Sequence, residues 1–141
     1  NGPGDPEPVT AVIQLIQGLQ GKLPIYGICL GHQLIALAHG IKTYKLTFGH
    51  HGSNHPVWNV EKNKIEITAQ NHGFSVDPAG IAAAGFSVTH TNLNDQTVAG
   101  IRNQDGSIRS VQFHPEAGPG PHDSLGFFDQ FIQSMQVAVV N

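Results

Sequence analysis

At 141 residues, 39% of them hydrophobic, the chain is long enough to form one domain with a substantial core. Only 12% of the residues are charged and the net charge is −3, so no basic face invites nucleic acid, and the nine His add little charge at neutral pH. The apolar runs are too short to span a bilayer, and the opening Asn1-Gly2-Pro3-Gly4-Asp5-Pro6 has neither the basic nor the apolar segment of a secretion signal. The missing initiator Met, at a point that reads as a loop, marks the chain as a piece of something longer. Its single Cys cannot form an internal disulfide, which favours a reducing compartment, taken here as the cytoplasm.

In chain order, the Pro- and Gly-rich stretch up to Pro8 is turn chemistry. Val9, Val12, Ile13, Ile16 and Leu19 then recur at helical spacing, and Gly21 stops the helix. The short apolar run Leu23 to Ile28 has the composition of a buried parallel strand and ends at Cys29. Leu34, Ile35, Leu37 and Ala38 predict a second helix closing at Gly40. Strand, sharp turn and helix in this order are the grammar of an α/β fold. Beyond Ile41 short β-like runs alternate with turn residues, at Thr43 to Phe48, Val57 to Val60, Lys64 to Ala69, Gly85 to His90, Thr97 to Arg102 and Ser107 to Phe113. Tight turns are expected at Asn92-Leu93-Asn94-Asp95 and Asp105-Gly106. After a Pro- and Gly-rich loop from Pro115 to Asp123, a last helix starts at Ser124 as N-cap, with Leu125, Phe128, Phe131, Ile132, Met135 and Val139 on one face. The reading is one α/β domain with a β-rich second half.

Gly27-Ile28-Cys29-Leu30-Gly31 sets a nucleophile between two glycines, the spacing of a nucleophile elbow with Cys in place of Ser. The glycines answer crowding in the turn, and the nucleophile itself is expected in a strained backbone conformation. The helix that follows aims its N-terminus at the sulfur, where its dipole and free N–H groups would lower the thiol pKa and steady an oxyanion. Against this stands a buried, inert Cys, the commoner fate of a lone thiol. A thiol nucleophile needs a base with an orienting partner. Ser110-Val111-Gln112-Phe113-His114-Pro115-Glu116 supplies one, with His114 at the C-terminal end of an apolar strand and Glu116 two residues on. Taken singly, His114 reads as a surface His and Glu116 as a solvated carboxylate; behind an elbow, the two point to catalysis.

Taken together, Gly27-Ile-Cys-Leu-Gly-His-Gln33 and Phe113-His-Pro-Glu116 resemble the triad, or class I, glutamine amidotransferase family. Four further blocks, Asn1 to Pro6, Gly49 to Pro56, Gln70-Asn-His-Gly-Phe74 and His114 to Asp123, are similar to the branch that forms the small, glutamine-hydrolysing subunits of carbamoyl-phosphate synthases. The resemblance covers almost the whole chain. It implies a flavodoxin-like three-layer α/β domain over residues 1–141, incomplete at its N-terminus. It makes Cys29 the nucleophile, His114 the base and Glu116 its orienting partner. Gly2 and the N–H of Leu30 would form the oxyanion hole, and Leu30, Gln33, Gly4, Asn71, Gly73 and Phe74 would line the glutamine pocket. Without the resemblance, Asn71-His72-Gly73 reads as an ordinary turn and Phe74 as a core aromatic.

Further expectations follow from the same likeness. Relatives carry additional strands, helices and an N-terminal domain before the Asn1-Gly-Pro-Gly block, so the isolated chain is expected to be marginally stable, with an exposed sheet edge that invites association. The implied reaction releases ammonia from glutamine for a large, ATP-using synthetase subunit, in a heterodimer or higher assembly making carbamoyl phosphate for arginine and pyrimidine synthesis. No cofactor is expected on this chain; no phosphate-binding G-x-x-x-x-G-K-[ST] loop occurs, and ATP with Mg would sit on the partner. His50, His51 and His55 read as part of a structural loop and not a metal site, since no carboxylate or thiolate supports them. Three competitors remain: a sibling amidotransferase serving another synthetase, a thiol protease or hydrolase built on a similar elbow, and an inert subunit that only binds a partner.

Overall fold

The computed structural model describes residues 4–117 and 124–140, with side chains described up to Val137. Among the described residues, three α-helices and six strands run in the order α1 (Thr10–Leu19), β1 (Ile25–Ile28), α2 (Leu30–Ala38), β2 (Thr43–Asn59), β3 (Lys64–Val76), β4 (Phe86–Asn92), β5 (Val98–Asn103), β6 (Ile108–Val111) and α3 (Gly126–Val140). The strands form one sheet in the order β1-β6-β5-β4-β2-β3. Among the described residues only β1 and β6 pair in parallel; the other neighbours are antiparallel, and all of these but β2 and β4 are successive strands.

Strand alternation divides the core between two faces. Ile25 and Gly27 face α2, whose Leu34, Ile35, Ala36 and Ala38 pack with Ile16 of α1 and with Val76, Ile101 and Ile108. Tyr26 and Ile28 face the other way, into a smaller cluster of Val57, Ala99, Val111, Phe113 and Phe127. Helices α1 and α2 therefore cover one face and α3 the other, which is the three-layer α/β fold expected, with β1 and β3 as its edges among the described residues.

Three local expectations need correcting. Gly49 to Pro56, expected as a loop, runs inside the 17-residue strand β2; register shifts between Lys45 and His50 and between Gly52 and His55 absorb its glycines as bulges. Gln70 to Phe74 likewise belongs to β3 and is no turn. In α3 the packed stripe is Phe127 and Phe131, whose rings lie tilted against Tyr26 at centroid distances of 5.2 and 4.9 Å. Ile132 and Met135, expected inside, are 50% and 41% exposed, because the aromatic pair on the neighbouring stripe sets the helix's rotation.

The first face also buries an imidazole. His32 of α2 is fully buried and its Nδ1 pairs with Ser110 Oγ of β6 at 2.8 Å. Burial, and then the nearby His72 and His90, push its pKa down to about 3. The folded chain thus keeps His32 neutral, while the unfolded chain takes up a proton near the ordinary value of about 6.5. The unfolded state binds more protons between those two values, so stability is flat above about pH 6.5 and falls as the pH drops towards 3, by roughly 1 kcal/mol per pH unit for this group. Urea midpoints of the full-length protein followed from pH 7 to pH 4.5 are expected to decline, and to decline less steeply in His32→Gln. Equal slopes in the two proteins would show that His32 is not the group responsible.

Candidate functional site

The site assembles where the ends of β1 and β6 meet the middle of β3. Parallel pairing sets Ile28 against Val111, and one residue later the Cys29 N–H donates to Val111 O at 2.9 Å. The chain after β6 then carries Gln112 beneath the elbow and His114 beyond it. The N–H of His114 donates to Ala69 O of β3 at 2.9 Å, two residues from Asn71, whose carbonyl lies 3.7 Å from Cys29 Sγ. Three segments distant in sequence thus meet around one sulfur.

Cys29 stands between β1 and α2 with φ 53° and ψ −104°, a conformation that costs an L-residue about 1–3 kcal/mol and belongs to elbows. The two flanking glycines do different work. A Cβ on Gly27 would lie 2.7 Å from Gly31 C, Gly31 O and Ile35 Cδ1, so the strand and helix could not close around it. A Cβ on Gly31 would meet nothing within 4 Å, so the crowding expected of both glycines applies to Gly27 alone.

The thiol's electrostatics also depart from expectation. Cys29 is 2% exposed, and burial pushes its pKa up; the Leu30 N–H and Gln112 pull the other way, and the Glu116 charge adds to the rise. The helix N-terminus acts in the direction foreseen, but desolvation outweighs it. Deprotonation therefore calls for a base. His114 Nδ1 lies 2.8 Å from Glu116 Oε1, and since a carboxylate only accepts, Nδ1 carries the hydrogen and Nε2 is left as the basic nitrogen.

The remaining pocket candidates divide. Leu30 opens α2 with its N–H on the sulfur. Asn71 is exposed, Gly73 and Phe74 are half-buried, and all three lie on β3, where the Asn71 carbonyl meets Cys29. Gln33 is only 2% exposed and its amide nitrogen is engaged twice, with Phe74 O at 2.9 Å and Gln112 Oε1 at 3.1 Å, so it braces the pocket from behind. Gly4 is exposed with φ 118° and no contact ties it to Cys29; Gly2 lies outside the described residues, as does the tail from 118 to 123. Sequence reasoning passed over Gln112. It is 1% exposed, and its amide nitrogen reaches Cys29 O at 3.4 Å and Sγ at 3.8 Å. A lone amide in the run Ser110 to Phe113 was the available signal, since a buried amide must find partners. Among the described residues no group of His, Cys, Asp and Glu is arranged to hold a metal ion, and no helix is long and apolar enough to cross a membrane.

Residues 1–134 match the family described as Glutamine amidotransferase class-I. The carbamoyl phosphate synthase small chain of Listeria innocua is 50% identical over 137 residues, 97% of this chain and 38% of the relative. That of Rhodopirellula baltica is 53% identical over 96% of this chain and 34% of the relative, and the chloroplastic one of Arabidopsis thaliana is 52% identical over 96% and 31%. The chain thus spans about a third of the length of these relatives. In fold it is similar to a solved structure from Thermoplasma acidophilum described as a putative GMP synthase subunit, with a TM-score of 0.77 at 22% identity over 95% of this chain and 67% of that one.

The unequal glycines give a direct test of the elbow. Gly27→Ala is expected to destabilise the full-length protein by about 1–3 kcal/mol, the usual penalty of overpacking. Gly31→Ala should leave the urea midpoint within about 0.5 kcal/mol of the parent, in the range of an uncrowded position. Equal losses in the two variants would contradict the packing described.

Proposed function

Because the chain belongs to the class I glutamine amidotransferase family, we propose that it hydrolyses glutamine to glutamate and ammonia through Cys29, His114 and Glu116. The observations that carry this reading are a strained elbow with a helix-terminal N–H on its sulfur and an imidazole, oriented by a carboxylate, whose backbone is bonded two residues from the β3 carbonyl that meets the sulfur. His114 takes the Cys29 proton as the sulfur adds to the amide carbon of glutamine. Glu116 holds the hydrogen on Nδ1 and stabilises the imidazolium that forms. The tetrahedral oxyanion rests on the Leu30 N–H and on the segment around Gly2. His114 then gives its proton to the leaving nitrogen, the carbon–nitrogen bond breaks, and ammonia departs. Water, deprotonated by His114, splits the γ-glutamyl thioester to glutamate and the free thiol.

Glutamine's amide and zwitterionic head call for backbone donors and acceptors and for amide side chains, which Gly4, Leu30, Gln33, Asn71, Gly73 and Phe74 supply in this proposal. The names of the most similar relatives favour one destination for the ammonia: a large synthetase subunit making carbamoyl phosphate, with ATP and Mg bound there. Service in arginine and pyrimidine synthesis, and a cytoplasmic setting, belong to the same proposal.

Two measurements test it. A glutamine-like electrophile should label only the Cys29 peptide in the full-length protein, and excess glutamine should block the labelling. In the complex with the synthetase subunit, Cys29→Ser is expected to abolish glutamine-dependent synthesis by more than about 10³-fold, as loss of a nucleophile does, while synthesis from added ammonia persists. Equal loss of both activities would mean that Cys29 does something other than hydrolyse an amide.

A further inference from the structure

The hairpin of β2 and β3 carries imidazoles that the proposed reaction leaves without a task. Strand register places His50 directly opposite His72, and His50 Nδ1 lies 3.1 Å from His72 Nε2. The other nitrogen of each ring is already committed. His72 Nδ1 is 2.7 Å from Phe74 O, and His50 Nε2 is 2.6 Å from Asp95 Oδ2. A carbonyl and a carboxylate only accept, so both of these nitrogens carry hydrogens. Were both rings neutral, their facing nitrogens would turn lone pairs on each other at hydrogen-bond distance, with the two residues only 8% and 5% exposed. The contact is satisfied when one proton lies between them. The pair then holds three ring hydrogens and one positive charge.

The surroundings fix where the compensating charge sits. Among the described residues, the titratable groups facing the pair besides Asp95 are imidazoles: His51 and His55 on β2 and His32 on α2. The anion among the described residues at the pair is Asp95, in the turn between β4 and β5. Burial raises its pKa, but bonds from Thr97 and His50 prevail and hold the carboxyl below its usual range. Gln70 Oε1, 2.8 Å from His72 Nε2, draws the shared proton towards His72, while burial of that ring, which lowers its pKa to about 4, drives it back to His50. Asn92 Nδ2 stands farther off, 3.4 Å from His50 Nδ1. Either resting place leaves the count of hydrogens unchanged.

The pair is wired to the nucleophile. Phe74 O, which takes the His72 hydrogen, also accepts from Gln33 Nε2; Gln33 meets Gln112, and Gln112 reaches Cys29. On the opposite side of β3, His51 Nδ1 pairs with Asn71 Oδ1 at 2.9 Å. We propose that Asp95 and His50 are positioning residues for glutamine hydrolysis: a proton held between His50 and His72 and countered by the Asp95 carboxylate locks residues 71–74 beside Cys29 in their substrate-binding shape. The proposal rests on the reaction proposed above.

The test uses the full-length chain in complex with the synthetase subunit. Asp95→Asn keeps the shape of the side chain and removes its charge. It should raise the KM for glutamine about tenfold, the effect of losing a charge-assisted bond, with kcat within about twofold and ammonia-dependent synthesis unchanged. Asp95→Glu should recover most of the KM. Asp105→Asn, in a turn with the same pair of Asp-to-Ser/Thr bonds but far along the sheet, should not move it. Nitrogen NMR of histidine-labelled protein near neutral pH should show three protonated ring nitrogens shared by His50 and His72 in the parent and two in Asp95→Asn. An unmoved KM in Asp95→Asn beside an active parent overturns the positioning role alone. A parent with two neutral rings overturns the proton pair, and this readout decides even where Asp95→Asn fails to fold. A parent that turns over no glutamine, with the three-hydrogen pair intact, sinks the reaction reading and the positioning role with it.

Discussion

The contact between two buried amides, Gln33 and Gln112, is what the geometry of the site depends on. At 3.1 Å it joins the helix that follows the nucleophile to the segment that follows β6, and through Phe74 O it adds β3. The parallel pairing of β1 with β6 brings these segments near one another, but pairing alone sets no side-chain positions beyond the strand ends. An amide has both a donor and an acceptor end, and each end used here is met by a group that could not be exchanged for an apolar one without orphaning its partner. Leaving such a buried group unmet costs about 1–3 kcal/mol, so the arrangement is held in one register.

The same logic explains why so much of the second half of the chain is polar and yet buried. Gln70, His72, Ser75, Asn92, Ser110 and Gln112 are each 5% exposed or less, all but Gln112 on the strands of the sheet. A purely apolar filling would pack as well. It would leave the 71–74 segment free to shift along β2, whose two register breaks show how little its glycines resist slippage. Cross-strand bonds between side chains pin that register where the backbone does not.

The elements legible in the sequence were those whose signals are local. Cys29 between Gly27 and Gly31, and the helical spacing from Val9 to Leu19, announced their structures because turn sterics and helix periodicity act over a few residues. The strand class of the second half was legible as well. Not legible was the continuity of β2 through Gly49 to Pro56, because it rests on pairing with β3 and β4, and a glycine-rich stretch with three His gives no local sign of a partner strand. The face of α3 was misread for a related reason. Phe128, Ile132 and Met135 make as good a stripe as Phe127 and Phe131, and the choice was settled by Tyr26 more than a hundred residues earlier. Within the site, Cys29, His114 and Glu116 came from motif spacing, whereas Gln112 declared its part only once burial and the elbow's geometry were known.

The direction of the Cys29 pKa shift carries the last step. An elbow at a helix N-terminus suggests a thiolate waiting for substrate, yet the surroundings of this sulfur favour the thiol, since burial outweighs the Leu30 N–H and Glu116 adds a like charge. A neutral thiol is a poor nucleophile and resists oxidation. On the proposed mechanism the reactive form arises only as His114 removes the proton, so the nucleophile and the imidazolium acid are produced in one event with the substrate in place. Chemistry of that kind tolerates no slack in the distance between sulfur and imidazole. Both residues are therefore tied to a single short stretch of β3, His114 through its backbone N–H to Ala69 O and the sulfur at Asn71 O. Whatever moves that stretch moves nucleophile and base together.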